Sequence, residues 1–326
     1  MAKVLVLGAS GFIGTELVRQ LQERGDDICA VVHHNKTDGA IDHVQADMTD
    51  PDSIEKALQG RTVDVVFHIA SRPGDTGNPR EMLDVNVIGL LNMLEWARTN
   101  PVKRYVVSSS ISALEWYPAT KFNPPDYVPV DEKHPARPKD MYASSKRMQE
   151  LLAMTFYHQY EVPTTVLRLT AVVGPRGKGG GRGWREFAEK LQEGKKVQIP
   201  HFSPEELCHY VDIRDVARQH IVQAEHPGAV GEIFNCCATD PTRGTEFIEA
   251  VEDLAPGIEI ECGFPWSMAQ GGEISFDMSK AKQLLDYEPQ YTLTDAVKSI
   301  KDWIDDGGLE KESNADLQFG DGVKKD

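Results

Sequence analysis

Tyr142-Ala-Ser-Ser-Lys146 sets a phenol and an ammonium four residues apart, and on a helix that spacing puts them on one face. A free tyrosine has a pKa of about 10 and does not readily exchange protons at neutral pH. A neighbouring ammonium favours the phenolate and lowers that value, so the pair has the makings of a general acid/base. Taken alone the pattern is common, and a surface helical pair fits it as well. A second group, Ser108-Ser109-Ser110, ends the run Tyr105-Val106-Val107. Ligands of open parallel sheets bind at the carboxyl ends of strands, where a hydroxyl could hydrogen-bond a reacting oxygen. Serines at a strand end are also ordinary turn formers.

The third group is Gly8-Ala9-Ser10-Gly11-Phe12-Ile13-Gly14, spaced G-x-x-G-x-x-G. Gly8 permits a tight turn from strand to helix, Gly11 lets the backbone approach a pyrophosphate, and Gly14 allows close contact of helix and strand. A helix N-terminus behind such a turn offers N–H groups and a positive dipole end to phosphates. The motif follows a strand and opens a helix, which is the context that makes it a dinucleotide signal. The turn, Phe12 and Ile13 included, is therefore expected to bind a dinucleotide.

These groups need a scaffold, and the hydrophobic pattern supplies one. Lys3 to Leu7 reads as an apolar strand suited to a sheet covered on both faces. A helix from Thr15 to Arg24, Gly25 and a strand from Ile28 to Val32 complete a βαβ unit. Further strands are expected at Val63–Ala70, Arg104–Ser109 and Thr164–Val173, with helical patterns between them. This alternation predicts an α/β fold, a doubly wound parallel sheet. Asn78-Pro79-Arg80-Glu81 announces a helix running to about Thr99, with an N-cap, a proline and a glutamate in their usual places. That helix is apolar nearly all round, and a second runs from about Met141 to Tyr160. A helix apolar on several faces is buried on several faces, either in a deep core or in a homodimer interface. From Gly174 the chain turns to P-R-G-K-G-G-G-R-G, a flexible loop. The expected division is a dinucleotide-binding domain of residues 1–173 and about 205–238. A smaller, discontinuous substrate domain takes 174–204 and about 239–307, and 308–326 form a polar tail.

Composition narrows the classes. The formal net charge of −16 over 326 residues opposes non-specific nucleic-acid binding. No apolar run approaches the roughly 18–20 residues that span a bilayer, and the start does not read as a signal peptide, so a cytoplasmic location is expected. The five cysteines form no C-x-x-C pair and suggest neither zinc nor a disulfide framework; they are expected to be reduced and buried. The histidines form no ligand cluster in sequence, and no metal is expected.

Together the three groups resemble the extended short-chain dehydrogenases/reductases, which include sugar-nucleotide epimerases, dehydratases and dihydroflavonol reductases. The resemblance covers the chain to about residue 305. It extends to A-D-M-T-D around Asp47, F-H-I-A-S at Phe67–Ser71, Asn86 in D-V-N-V-I-G, R-L-T-A-V-V-G-P at Arg168–Pro175 and Y-V-D-I-R-D-V-A at Tyr210–Ala217. It implies Tyr142 as acid/base, Lys146 on the nicotinamide ribose, Ser110 polarising the substrate oxygen and Asp47 on the adenine amino group. It also places Met48 and Ala70 beside the dinucleotide, and Ser71 and Ser112 towards the substrate.

Cofactor and reaction are read from departures. The second strand ends Val31-Val32-His33-His34-Asn35-Lys36, without the acid that NAD-binding members carry for the ribose hydroxyls. His33 and its neighbours could attract a 2′-phosphate, which favours NADP over NAD. Ile111-Ser112 stands where dehydratases of this type carry an Asp-Glu pair. Ala171 and Cys208 stand where many sugar-nucleotide enzymes carry an asparagine and an arginine for the diphosphate, and neither replaces a charge-assisted contact. These departures lean towards a carbonyl reductase or alcohol dehydrogenase on a small or sugar-like substrate. The alternative is a nucleotide-sugar epimerase with tightly bound NAD; a dinucleotide-binding sensor has no use for the acid/base pair. Arg176, Lys178, Arg182 and Arg185 around the loop Gly177–Gly183 could clamp an anion, and the aromatics of Leu114–Lys139 could line the substrate pocket.

Overall fold

The computed structural model describes residues 2–32, 41–73, 78–114, 125–176, 182–198, 204–205, 207–261 and 274–311. Strand β1 (Lys3–Leu7) leads into α1 (Phe12–Glu23) and β2 (Asp27–Val32), then β3 (Asp42–Gln45), α2 (Pro51–Leu58) and β4 (Val65–His68). A continuous helical rod follows, α3 (Pro79–Leu83), a π-helical turn (Asp84–Ile88) and α4 (Gly89–Thr99), then β5 (Arg104–Ser110), α5 (Met141–Tyr160), β6 (Thr164–Leu169) and β7 (Ala171–Val173). Beyond these come α6 (Arg182–Gln192), β8 (Val197–Gln198), β9 (Leu207–Cys208), β10 (Tyr210–Asp212), α7 (Ile213–Glu225), β11 (Ile233–Cys236) and β12 (Thr242–Arg243). The described chain ends with α8 (Gly244–Leu254), β13 (Ile260–Glu261), α9 (Ser279–Leu285) and α10 (Leu293–Asp305).

Seven strands form one parallel sheet in the order β11-β6-β5-β4-β1-β2-β3, the Rossmann-like arrangement that the alternation predicts. Its period of two is legible in β1. Val4 and Val6 pack with Leu17, Val18 and Leu21 of α1 and Ala217 and Ile221 of α7. Leu5 and Leu7 pack on the other face with Ile54 and Leu58 of α2, Leu90 and Leu94 of α4, and Phe156 of α5. Alternate side chains of a strand point to opposite faces, so both must be apolar where helices cover both. Strand order reverses between β1 and β4, and the carboxyl ends of these two strands open the crevice where such sheets take ligands.

Several expected boundaries move. Helix α1 begins at Phe12, three residues before the expected Thr15, because the Phe12 side chain is buried among Trp184, Phe187, Tyr210 and Phe247. Strand β4 is shorter than Val63–Ala70, since the N–H groups of Ile69 and Ala70 both reach the carbonyl of Leu7, at 3.0 and 2.9 Å, and break the ladder. The expected strand Thr164–Val173 is two strands. Thr170 donates both N–H and hydroxyl to the carbonyl of Cys236, which ends β6 and turns β7 away to pair with β10. Arg182 and Gly183 belong to α6 and not to the preceding loop. Leu309, expected in a polar tail, is buried with Ile300 and Ile304 of α10. Cys236 and Cys237 are buried and free, whereas Cys29 is only half-buried.

The two long helices match their expected spans. Asn78 caps the first by accepting from Arg80 N at 2.8 Å, and Asp140 caps α5 by accepting from Ala143 N at 2.6 Å. Their inner sides are core, through Met82, Met93, Trp96, Ala153 and Phe156. Their outer side leaves Ile88, Met148 and Leu151 exposed, Leu151 by 52%, so neither helix is enclosed all round within one chain. Among the described residues no helix is long and apolar enough to cross a membrane.

Candidate active site

The glycine turn lies at the β1/β4 crevice and is built by excluding side chains. Gly8 has φ +89°, and a Cβ there would fall 2.7 Å from the backbone nitrogen of Ala70. A Cβ on Gly14 would fall 2.0 Å from the carbonyl oxygen of Gly8, so α1 packs on its own turn as only glycine allows. Gly11 is the N-cap of α1 and offers no side chain to the first-turn N–H groups, and no acid stands in that turn. This cradle fits a pyrophosphate on the helix N-terminus. Phe12 contributes only backbone there, since its ring is spent in the core, and Ile13 is half-buried against the same cluster.

The loop after β3 closes one side. Asp47 Oδ1 accepts from Thr49 N and Oγ1, at 2.9 and 2.7 Å, so part of the carboxylate expected on adenine first fixes its own turn. Met48 lies against Gly89, where a Cβ would come within 3.3 Å of its own Cβ, and its carbonyl accepts from Asn92 Nδ2 at 2.9 Å. The loop after β4 is pinned by Asn86, which is wholly buried in the π-helical turn. Asn86 Oδ1 accepts from Arg72 N and Ser71 Oγ, and its Nδ2 donates to Ser145 Oγ at 3.0 Å. Ser71, expected near substrate, is thereby engaged in holding this loop to α5. Such π turns recur at functional sites.

The residues expected to act as acid and base meet at the carboxyl end of β5. Tyr142 is hydrogen-bonded to Ser110, and Ser110 Oγ also bonds Ser112, accepting from its backbone N at 3.1 Å. Lys146 Nζ donates to the carbonyl of Ser108 at 3.0 Å and lies 5.8 Å from the centre of the Tyr142 ring. Burial dominates the electrostatics. It pushes the Tyr142 phenol up to about 12, against the lowering effect of the Ser110 hydrogen bond. The same burial takes Lys146 down to about 7, opposed by the charge of Glu150. The phenol is therefore raised, not lowered as the pair spacing suggests, because its burial outweighs the hydrogen bond from Ser110. His68, at the end of β4, is held neutral, its pKa brought down to about 3 by burial and then by Lys146, and its Nδ1 lies 2.8 Å from Tyr105 Oη. On the opposite face Ser108 Oγ lies 2.6 Å from His220 Nε2, while His220 Nδ1 bonds the carbonyl of Val216. The hydroxyl is thus the donor to His220, since Nδ1–H goes to the carbonyl.

Ser110, Ser112, Tyr142 and Lys146 are thus in one cluster, and Gly8, Gly11, Gly14 and Ala70 in a second. His33 and Lys178 lie outside the described residues, as do Trp116, Tyr117, Phe122 and the side chain of Arg182. Arg176 is exposed with a left-handed backbone, φ 65°. Arg185 pairs with Glu189 one turn on, at 3.0 Å. Tyr127 is 42% exposed, with its hydroxyl on Asp131 and its ring against His134. The sequence reading missed Glu150. Its signal was a carboxylate four residues after Lys146, opposite an arginine inside the otherwise apolar strand T-T-V-L-R-L.

A doubly wound sheet with a glycine turn after its first strand defines a Rossmann-type protein of the extended short-chain dehydrogenase class. A model of the NAD dependent epimerase/dehydratase family matches residues 4–237, and the chain belongs to that family. Over 320 residues it is 28% identical to a putative UDP-glucose 4-epimerase of Methanocaldococcus jannaschii, covering 92% of this chain and 98% of the relative. It is also similar to the crystal structure of UDP-glucose 4-epimerase with UDP-glucose from Thermotoga maritima, with a TM-score of 0.79, 23% identity and coverage of 94% and 99%. UDP-glucuronic acid 4-epimerase from Bacillus cereus, in complex with UDP-glucuronic acid and NAD, has a TM-score of 0.76, 21% identity and coverage of 93% and 99%. The family's cofactor is NAD, so the expected preference for NADP finds no support. Relatives named as epimerases favour that alternative over the carbonyl reductase.

Proposed function

We propose that this protein is an NAD-dependent epimerase that inverts a hydroxyl-bearing carbon of a nucleotide sugar. The observation that carries this is the Tyr142–Ser110 hydrogen bond with Lys146 one turn along α5, at the same edge of the sheet as the glycine turn. The epimerase relatives support the choice of reaction. The turn Gly8–Gly14 holds the pyrophosphate, Asp47 and Met48 flank the adenine, and Lys146 binds the nicotinamide ribose. Ser110 Oγ positions the sugar hydroxyl by hydrogen bonding. Tyr142 Oη accepts the hydroxyl proton as the carbon is oxidised to a ketone, then returns it after the sugar has presented its other face. Bound NAD⁺ would supply the hydride acceptor and, once reduced, the donor for the return. A positive charge beside the phenol stabilises the phenolate, which is the direction the reaction needs from a tyrosine held up at about 12.

Incubation with UDP-glucose, UDP-galactose and UDP-glucuronate, followed by proton NMR at C4, tests the reading. Interconversion of one epimeric pair without added cofactor is expected. Net oxidation or reduction with stoichiometric turnover of added dinucleotide would contradict it. Ala171 is the observation that favours such a second reading, a reductase of a small carbonyl, because its methyl group offers a substrate diphosphate no hydrogen bond. The exposed side chains Ile88, Met148 and Leu151 further support a homodimer formed through α3–α4 and α5.

A further inference from the structure

Three consecutive serines of β5 meet three side chains spaced one turn apart on α5. Tyr142 bonds Ser110, Lys146 bonds the carbonyl of Ser108, and Glu150 Oε1 accepts from Ser109 Oγ at 2.8 Å. The first two belong to the proton chemistry proposed above, but Glu150 touches none of it. Its carboxylate is 0% exposed and braced from two sides. Arg168 of β6, itself 2% exposed, donates from Nε to Oε1 at 2.7 Å and from Nη2 to Oε2 at 2.9 Å. Arg147 Nη1 donates to Oε2 at 2.9 Å. Arg168 Nη1 is held in turn by the carbonyl of Glu132 at 3.0 Å. A buried ion pair contributes little to stability compared with apolar groups of the same volume, so stability alone gives no reason for a charged cluster at this depth.

We infer that Glu150 is a positioning residue for Lys146: braced by Arg168 and tied to Ser109, it fixes α5 on β5 and sets a negative charge one helical turn beneath the ammonium. The inference rests on the reading of Tyr142 and Lys146 given above. Lys146 is faced by His68 from β4, which is neutral at this depth and bonded to Tyr105 of β5, and by Tyr142 and Glu150 from its own helix. The π-helical turn packs on α5 through the uncharged Asn86, whose carbonyl accepts from Gln149, while its Asp84 pairs with Arg80. Glu150 is thus the one anion in this set, and Arg168 and Arg147 lie behind it. Lys146 stands at about 7 with the charge of Glu150 already opposing its burial, and removing that charge would leave the amine further towards neutral.

The test uses the linkage between protonation and stability, and so needs no substrate. Lys146 has a folded-state pKa below its unfolded value. Below pH 7 both states carry the proton, and above it the unfolded chain binds more, so its contribution to stability rises with pH from about 7 towards 10.5. The onset is read from melting temperatures against pH, as the difference between each protein and the same protein carrying Lys146→Met. Glu150→Gln should move the onset down by about one unit or more, and Glu150→Asp should bring it back towards wild type. Arg168→Gln, which leaves Glu150 its Arg147 partner, should move it up; this variant decides the matter should Glu150→Gln fail to fold. An onset unmoved in Arg168→Gln, or moved down with it, overturns the inference. Tyr142→Phe is assayed in parallel: retained turnover would refute the proposed chemistry, whereas a dead Tyr142→Phe with an unmoved onset would refute the role of Glu150 alone.

Discussion

At the mouth of β1 the chain makes room by leaving side chains out, and at the mouth of β5 it fills the space with polar ones. The glycine turn needs no hydrogen-bonding side chain: Gly8 nearly touches Ala70, Gly14 nearly touches Gly8, and the helix behind them ends in bare N–H groups. Across the crevice, Ser108, Ser109 and Ser110 are each matched to a side chain of α5, and the cluster is braced from β6 by Arg168. A phosphate group is large, charged and indifferent to a few tenths of an ångström, so backbone and helix dipole suffice for it. Proton transfer demands oxygen atoms in hydrogen-bond reach of one another, and that distance is held by side chains. The two halves should therefore fail in different ways.

The largest effect is expected from Gly14→Ala, whose Cβ would meet the Gly8 carbonyl at 2.0 Å. Overpacking of this kind costs about 1–3 kcal/mol or more, and NAD⁺ affinity measured by fluorescence should fall at least about tenfold as the turn shifts. Gly25→Ala is the control, because it has a positive φ of 78° but nothing within 4 Å; it should lose about 1–2 kcal/mol through backbone strain alone and keep its affinity. Equal losses of affinity in the two would erase the distinction drawn for the turn. Asn86→Ala comes next. It takes the acceptor from the half-buried Arg72 N and one of two partners from Ser145 Oγ, which keeps the carbonyl of Tyr142, at a cost of about 1–3 kcal/mol, and denaturant titration should show that loss. NAD⁺ affinity should fall less than in Gly14→Ala, since Asn86 ties the loop after β4 to α5 without entering the glycine turn itself.

Smaller is the pH effect of Lys146. Wild type should gain stability relative to Lys146→Met as pH rises from about 7 to 9, because the unfolded chain then holds a proton that the folded chain has lost. Parallel melting curves over that range would mean that the ammonium is not desolvated as described. Leu151→Glu should affect the site least. On the exposed side of α5, it should halve the mass seen in light scattering while leaving the melting profile of each chain nearly intact, and an unaltered mass would remove the proposed dimer surface.

The glycine turn was legible because each glycine answers to a local need, and Asn78 and Asp140 announced their helices because capping is also local. The Tyr142–Lys146 pair was legible as spacing but not as electrostatics. Its pKa values depend on how dry the site is, and dryness comes from elements distant in sequence. Likewise Glu150 and Arg168 lie 18 residues apart on a helix and a strand, and only their packing against Ser109 turns two unremarked charges into a brace. The split at Thr170 was hidden for the same reason, since its cause is the carbonyl of Cys236, 66 residues on. The preference for NADP rested on the missing acid at the end of β2, and the family match supports only the NAD half of that reading.

The central claim is that Tyr142 moves the proton while the glycine turn holds NAD. It is tested most directly by denaturing purified wild type and Tyr142→Phe, identifying the dinucleotide each releases, and following both with the UDP-sugar pairs by NMR. The account predicts NAD in both proteins, and turnover in Tyr142→Phe lower by about three orders of magnitude. Comparable turnover in the two proteins, or release of NADP from either, would contradict it.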